Sequence, residues 1–160
     1  GVEVAHCLPK TAWPPTYLGG HPAFICDIQG GKCVVEYEKP ETIVQPTPNG
    51  DRTVLDNETT LPLNRAQFDF DVIMKDKPNS KAVTLKKSDG GYVKLSYPQS
   101  ECIAVWTSTG DERAQFICLE PWTSVPVYED DAFEDIEKKP HAVKLGAGST
   151  FDYSYTIEIG

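Results

Sequence analysis

The sequence predicts an all-β protein of antiparallel strands, on two observations: turn signals recur at short intervals, and the runs between them alternate apolar and polar residues with a period of two. The turn signals are "QGGK" at 29, "PNGD" at 48, "KPNSK" at 77, "SDGG" at 88, "STGD" at 108 and "GAGS" at 146. Glycine supplies positive φ and Asn or Asp tolerates it, so each marks a chain reversal.

Taken in order, the first stretch departs from this pattern. "AHCLPKTAWPP", Ala5 to Pro15, carries three prolines, which strand interiors exclude, so residues 1–16 are expected to be irregular. "KCVVEYEK" from Lys32 and "KAVTLKK" from Lys81 read as strands. In "YVKLSY", Val93, Leu95 and Tyr97 alternate with Lys94 and Ser96, the pattern of a half-buried strand. "QFICLEPW" contains the continuous apolar run Phe116–Leu119, the mark of a strand buried on both faces, and Pro121 is expected to end its pairing. "YEDDAFEDIEKK", Tyr128 to Lys139, reads as a helical turn or a solvated acidic loop. In "FDYSYTIEI", Phe151, Tyr153, Tyr155, Ile157 and Ile159 alternate with polar neighbours, predicting a closing strand.

Composition narrows the function. The 160 residues, 39% hydrophobic and without a linker or repeat, fit one domain able to bury a core. No apolar run approaches the ~20 residues that cross a bilayer, and "GVEVAHCLPK" has neither the basic flank nor the apolar centre of a signal peptide. A soluble, cytoplasmic protein is expected. The net charge of -9 opposes binding to a phosphate backbone, so no nucleic-acid partner is expected. Five cysteines without C-x-x-C spacing indicate neither a zinc site nor a disulfide framework.

Three residues stand out as candidates for chemistry. His21 lies in "YLGGHPAF", where Gly19 and Gly20 permit close approach of another group and Pro22 fixes the backbone behind it. Such an imidazole can face a ligand and titrates near neutrality; a turn histidine bonded to a carbonyl is the competing reading. Glu120 ends the apolar run of "QFICLEPW", where desolvation raises a carboxyl pKa, and Trp122 follows with a ring that can stack on a ligand. The alternative is a strand-end glutamate facing solvent. Asp71, in "FDFDVIM", can accept hydrogen bonds from sugar hydroxyls or simply end a strand at the surface. No G-x-S-x-G, P-loop, H-E-x-x-H or G-x-G-x-x-G occurs, and His6 and His141 form no ligand spacing with the cysteines.

"GGHPAF" at 19, "FDFDVIM" at 68, "CLEPW" at 118, "FEDIEKK" at 133 and "FDYSYTIEI" at 151 together resemble the galactose mutarotase-like family, in its aldose 1-epimerase branch. Their order and spacing agree from Tyr17 onward, so the resemblance covers residues 17–160 as the C-terminal part of a β-supersandwich. It implies interconversion of the α and β anomers of a hexose. Glu120 would take the proton from the C1 hydroxyl, His21 would protonate the ring oxygen, and Asp71 and Trp122 would contact the sugar. It implies no metal and no cofactor.

The departures are equally specific. An upstream half, with a second histidine and a sugar-contacting arginine, has no counterpart in this sequence, and "TSVPVYED" replaces the aromatic-glycine turn that usually follows Trp122. An incomplete sandwich would expose strand edges and self-associate or pair with a chain supplying that half. The rival reading is therefore a carbohydrate-binding module or structural remnant of the same fold without turnover. A glycosidase using Glu120 with Asp71 would need two carboxylates facing across a scissile bond, at roughly 5–10 Å.

Overall fold

The computed structural model describes residues 17–29, 31–111, 113–125 and 138–160, together with the backbone of 2–7. Ten strands dominate the described residues: β1 (Val2–Cys7), β2 (Ala23–Ile25), β3 (Val34–Gln45), β4 (Arg52–Pro62), β5 (Ile73–Asp76), β6 (Ala82–Lys86), β7 (Tyr92–Ser96), β8 (Cys102–Trp106), β9 (Phe116–Trp122) and β10 (Thr150–Ile159). Every pairing is antiparallel. A six-stranded sheet runs β1-β10-β7-β6-β3-β4 and a four-stranded sheet β2-β9-β8-β5. This is the all-β sandwich that the alternating runs predict.

Alternation decides which side chains meet between the sheets. Val35 and Tyr37, Leu85, Val93 and Leu95, and Tyr153 line the inner face of the larger sheet. Ile117 and Leu119 of β9 and Ile103 and Val105 of β8 answer them from the smaller one. The opposite face of β9 carries Cys118, Glu120 and Trp122, spaced two apart and register-paired with Trp106, Ala104 and Cys102 of β8. The continuous apolar run of β9 therefore has a physical reason: one face fills the core, and Cys118 and Glu120 on the other face are also buried.

Two expectations are corrected. Val2–Cys7 forms a strand paired with Thr150–Tyr155, although residues 1–16 were expected to be irregular. The three prolines that suggested otherwise, at 9, 14 and 15, all follow Cys7, and residues 8–16 lie outside the described residues. Pro121 does not end pairing but sits within β9 opposite Ile103. Its missing N–H falls on the side facing residues 18–22, and its carbonyl still accepts from Gly20 N–H at 2.9 Å and from the Tyr153 hydroxyl at 2.7 Å. The acidic stretch from Tyr128 lies outside the described residues up to 137. Among the described residues, no helix is long and apolar enough to cross a membrane.

Candidate active site

His21 is placed by its own segment lying along β9. Leu119 N–H donates to Pro22 carbonyl at 3.2 Å, Gly20 N–H to Pro121 carbonyl at 2.9 Å and Thr123 N–H to Leu18 carbonyl at 2.8 Å. The Thr123 hydroxyl oxygen accepts from Leu18 N–H at 2.9 Å. The two glycines are required for contact, not for unusual φ. A Cβ on Gly19 would stand 2.5 Å from Cδ1 of Trp122, and one on Gly20 would stand 2.7 Å from the Tyr155 ring. Aromatic rings thus press on the backbone at both positions and hold the imidazole over the outer face of the small sheet.

There His21 Nδ1 meets the Glu120 carboxylate at 2.8 Å. The pair is asymmetric in burial: the His21 side chain is 58% exposed and that of Glu120 only 4%. The second Glu120 oxygen, Oε1, is buried with no hydrogen-bond partner. Such an orphaned acceptor is costly and uncommon in folded proteins. Burial, first, and the Asp71 charge, second, push the Glu120 carboxyl from 4.5 up to about 7.

Asp71 enters from the turn that precedes β5, with φ of 71°. Its carboxylate accepts a hydrogen bond from the Trp106 indole N–H at 2.8 Å, and the Trp106 ring lies 5.7 Å from the His21 ring, centroid to centroid. His21, Asp71, Trp106, Glu120 and Trp122 surround a recess of about 210 Å³. A larger one of about 400 Å³ adjoins it, sharing His21, Glu120 and Trp122 and bounded by Tyr17, Gly19 and Lys139. The three candidates His21, Glu120 and Asp71 therefore converge, together with Trp122. Trp106 was not singled out. The only signal was the aromatic end of "CIAVW", and its position across from Cys118 depends on a register that one sequence does not display.

The fold also gathers His21, Cys118 and Glu120 with ligand atoms within 4.8 Å of one another, a nitrogen, sulfur and oxygen set that could hold a metal ion. Spacing along the chain gave no hint of it. Burial and the Glu120 charge push the Cys118 thiol up to about 11, so its thiolate, the ligand form, is disfavoured. Cys26, Cys33, Cys102 and Cys118 are free and buried. His141 lies elsewhere, with Nε2 2.8 Å from Asp76 Oδ1.

The raised Glu120 pKa has a consequence for stability. The folded chain holds this proton more tightly than the unfolded chain, so the contribution is full below about pH 4.5 and is lost as pH rises through about 7. Glu120→Gln, which cannot ionise, is expected to gain on the wild type by on the order of 2 kcal/mol at pH 8, with most of that gain gone at pH 5. Urea unfolding of both proteins at the two pH values measures it; a stability difference independent of pH would show that Glu120 titrates normally.

The two-sheet sandwich has a galactose mutarotase-like fold. The structure superposes on a galactose mutarotase-like protein from Lactobacillus casei ATCC 334 with a TM-score of 0.82 at 20% identity, covering 99% of this chain and 58% of that one. A galactose mutarotase related enzyme from Lactobacillus acidophilus gives the same TM-score of 0.82 at 17% identity, with 99% and 56% covered. In sequence, the chain is similar to the plasmid and chromosomal forms of Protein LacX of Lactococcus lactis subsp. lactis, at 29% identity over 91% of this chain and 52% of each relative. The chain thus spans about half the length of the curated relatives it matches. No protein-family model matches it.

Proposed function

We propose that the cleft interconverts the α and β anomers of a neutral hexose, as an aldose 1-epimerase does, with Glu120 as general base and His21 as general acid. The observation that carries this reading is the His21–Glu120 pair: one exposed imidazole and one buried carboxyl, 2.8 Å apart, with the carboxyl held at about 7 and one oxygen unpartnered. Opening a hemiacetal requires a proton to leave the C1 hydroxyl while another arrives at the ring oxygen. Glu120 Oε1 is suited to take the first. His21 Nε2, the ring nitrogen not engaged by Glu120, is suited to deliver the second. The C1–C2 bond then rotates, and return of both protons closes the ring as the other anomer. No electron or group leaves the sugar, so the reaction calls for no redox cofactor. Trp106 and Trp122 offer faces to the C–H side of a hexose ring, and the carboxylate of Asp71 can accept from its hydroxyls.

A carbohydrate-binding module without turnover is the second reading, which the two indole rings and the Asp71 carboxylate lining the recess would serve equally well. Polarimetry separates the two. The chain is expected to hasten equilibration of freshly dissolved α-D-glucose or α-D-galactose beyond the buffer rate and to release no reducing ends from a glycoside. Binding that leaves the equilibration rate at that of buffer would establish the module instead.

A further inference from the structure

The turn carrying Asp71 is held from behind by a residue that does not line the cleft of His21 and Glu120. Gln45, the last residue of β3, is 3% exposed. Its side-chain amide donates to the carbonyls of Phe70, Asp71 and Val72, at 3.3, 3.4 and 3.0 Å. Only a donor can face three carbonyls, which fixes the orientation of the amide. Its oxygen accepts from Arg52 Nη2, the residue paired with it across β3 and β4. The same Arg52 nitrogen donates to the Gln67 carbonyl at 2.6 Å, and the guanidinium lies 5.6 Å from the Phe70 ring centroid.

This network gathers carbonyls from both sides of Asp71, whose φ of 71° lies in the left-handed region that a non-glycine residue seldom enters unaided. Within the turn, Asp71 N–H donates to the Phe68 carbonyl at 2.9 Å. In an extended conformation the Asp71 side chain would point elsewhere. Held as it is, its carboxylate reaches the Trp106 indole and shares the small recess with Glu120.

We propose that Gln45, oriented by Arg52, is a positioning residue: it holds the Phe70–Val72 turn in the form that sets the Asp71 carboxylate beside Trp106 and Glu120. The inference rests on the proposed sugar site, since its consequence is where the Asp71 carboxylate stands in the recess shared with Glu120. Releasing the turn moves that carboxylate without substituting any residue of the cleft.

The test is an NMR comparison of the full wild-type chain with Gln45→Met, Arg52→Met and Asp71→Asn, following the Trp106 indole N–H resonance. Methionine fills the volume of Gln45 without its donors. Gln45→Met is expected to shift the indole proton upfield to the position of an unbonded indole, whereas Asp71→Asn keeps the indole bond, because asparagine retains an acceptor oxygen. Arg52→Met, which loosens Gln45 without replacing it, moves the signal the same way by less, and it decides the matter if Gln45→Met does not fold. The wild type supplies a further check, since the Gln45 side-chain amide protons are expected to exchange slowly with solvent. An indole resonance unchanged in folded Gln45→Met or Arg52→Met, or fast exchange of that amide in the wild type, would overturn the proposal. None of these signals requires sugar turnover. A chain without epimerase activity would therefore refute the function while leaving the clamp standing.

Discussion

Glu120→Gln is expected to lower the rate of hexose anomer equilibration at pH 7 by at least about 100-fold, to that of buffer, while leaving sugar binding nearly intact. The size follows from the chemistry. Glutamine preserves the shape and one carbonyl oxygen, so contacts with His21 and the ring can persist, yet it cannot accept a proton from the C1 hydroxyl at this pH. Among the described residues, no other carboxylate is placed to substitute. Asp71 shares the recess, but one of its oxygens is occupied by the Trp106 indole, and its turn stands on β5, beyond β8 from the His21–Glu120 contact. Polarimetry on the variant measures the rate, and Trp fluorescence on adding galactose measures the binding. A Glu120→Gln chain that equilibrates the sugar as fast as the wild type would remove Glu120 from the chemistry.

The second large effect is expected far more cheaply in atoms. Gly20→Ala adds one methyl group, 2.7 Å from two ring carbons of Tyr155 and 2.8 Å from its hydroxyl oxygen. That ring is 8% exposed and lies 6.2 Å from the ring of Tyr153, centroid to centroid, which itself reaches the Pro121 carbonyl and Ser100. It has little room to give, so the backbone at Gly20 must shift and His21 with it. Overpacking of this kind costs about 1–3 kcal/mol in stability. A displacement of about 1 Å at an acid–base pair costs about 100-fold in rate. Both losses are measurable, by urea unfolding and polarimetry. A double variant, Gly20→Ala with Tyr155→Leu, is expected to recover part of the rate by vacating the space, whereas the same loss in the single and double variants would rule out the ring as the cause.

Gly19 and Gly20 were legible as sites of close approach, but the identity of the approaching rings was not. Trp122 lies two positions from Glu120 on a strand, so its share of the same face follows from period two. Tyr155 comes from the other sheet, and only the assembled sandwich brings it to Gly20. The alternation in "YVKLSY" and "FDYSYTIEI" marked two strands that the structure places side by side as β7 and β10. Their pairing is a matter of topology, which alternation does not encode. Pro121 misled for a local reason: proline disrupts pairing on the side its nitrogen faces, and here that side meets an irregular segment while the other continues with β8. Val2–Cys7 was obscured by prolines that follow it.

At the site, residue type carried His21 and Glu120 a long way, because a constrained histidine and a carboxyl ending an apolar run are unusual in themselves. Trp106 and Gln45 were invisible because their roles depend on partners distant in sequence. Trp106 looks like an ordinary strand-end aromatic until β8 is registered against β9. Gln45 looks like an ordinary polar strand end until its amide is seen beneath three successive carbonyls.

The measurement that bears most directly on the proposed acid–base pair is the pH dependence of α-D-galactose equilibration catalysed by the intact chain, with the buffer rate subtracted at each pH. A general base with the proton affinity of Glu120 predicts a catalysed rate that rises with pH through a midpoint near 7 and loses that limb in Glu120→Gln. A rate indistinguishable from buffer across the range, or a catalysed rate with no inflection between pH 5 and 8, would contradict it.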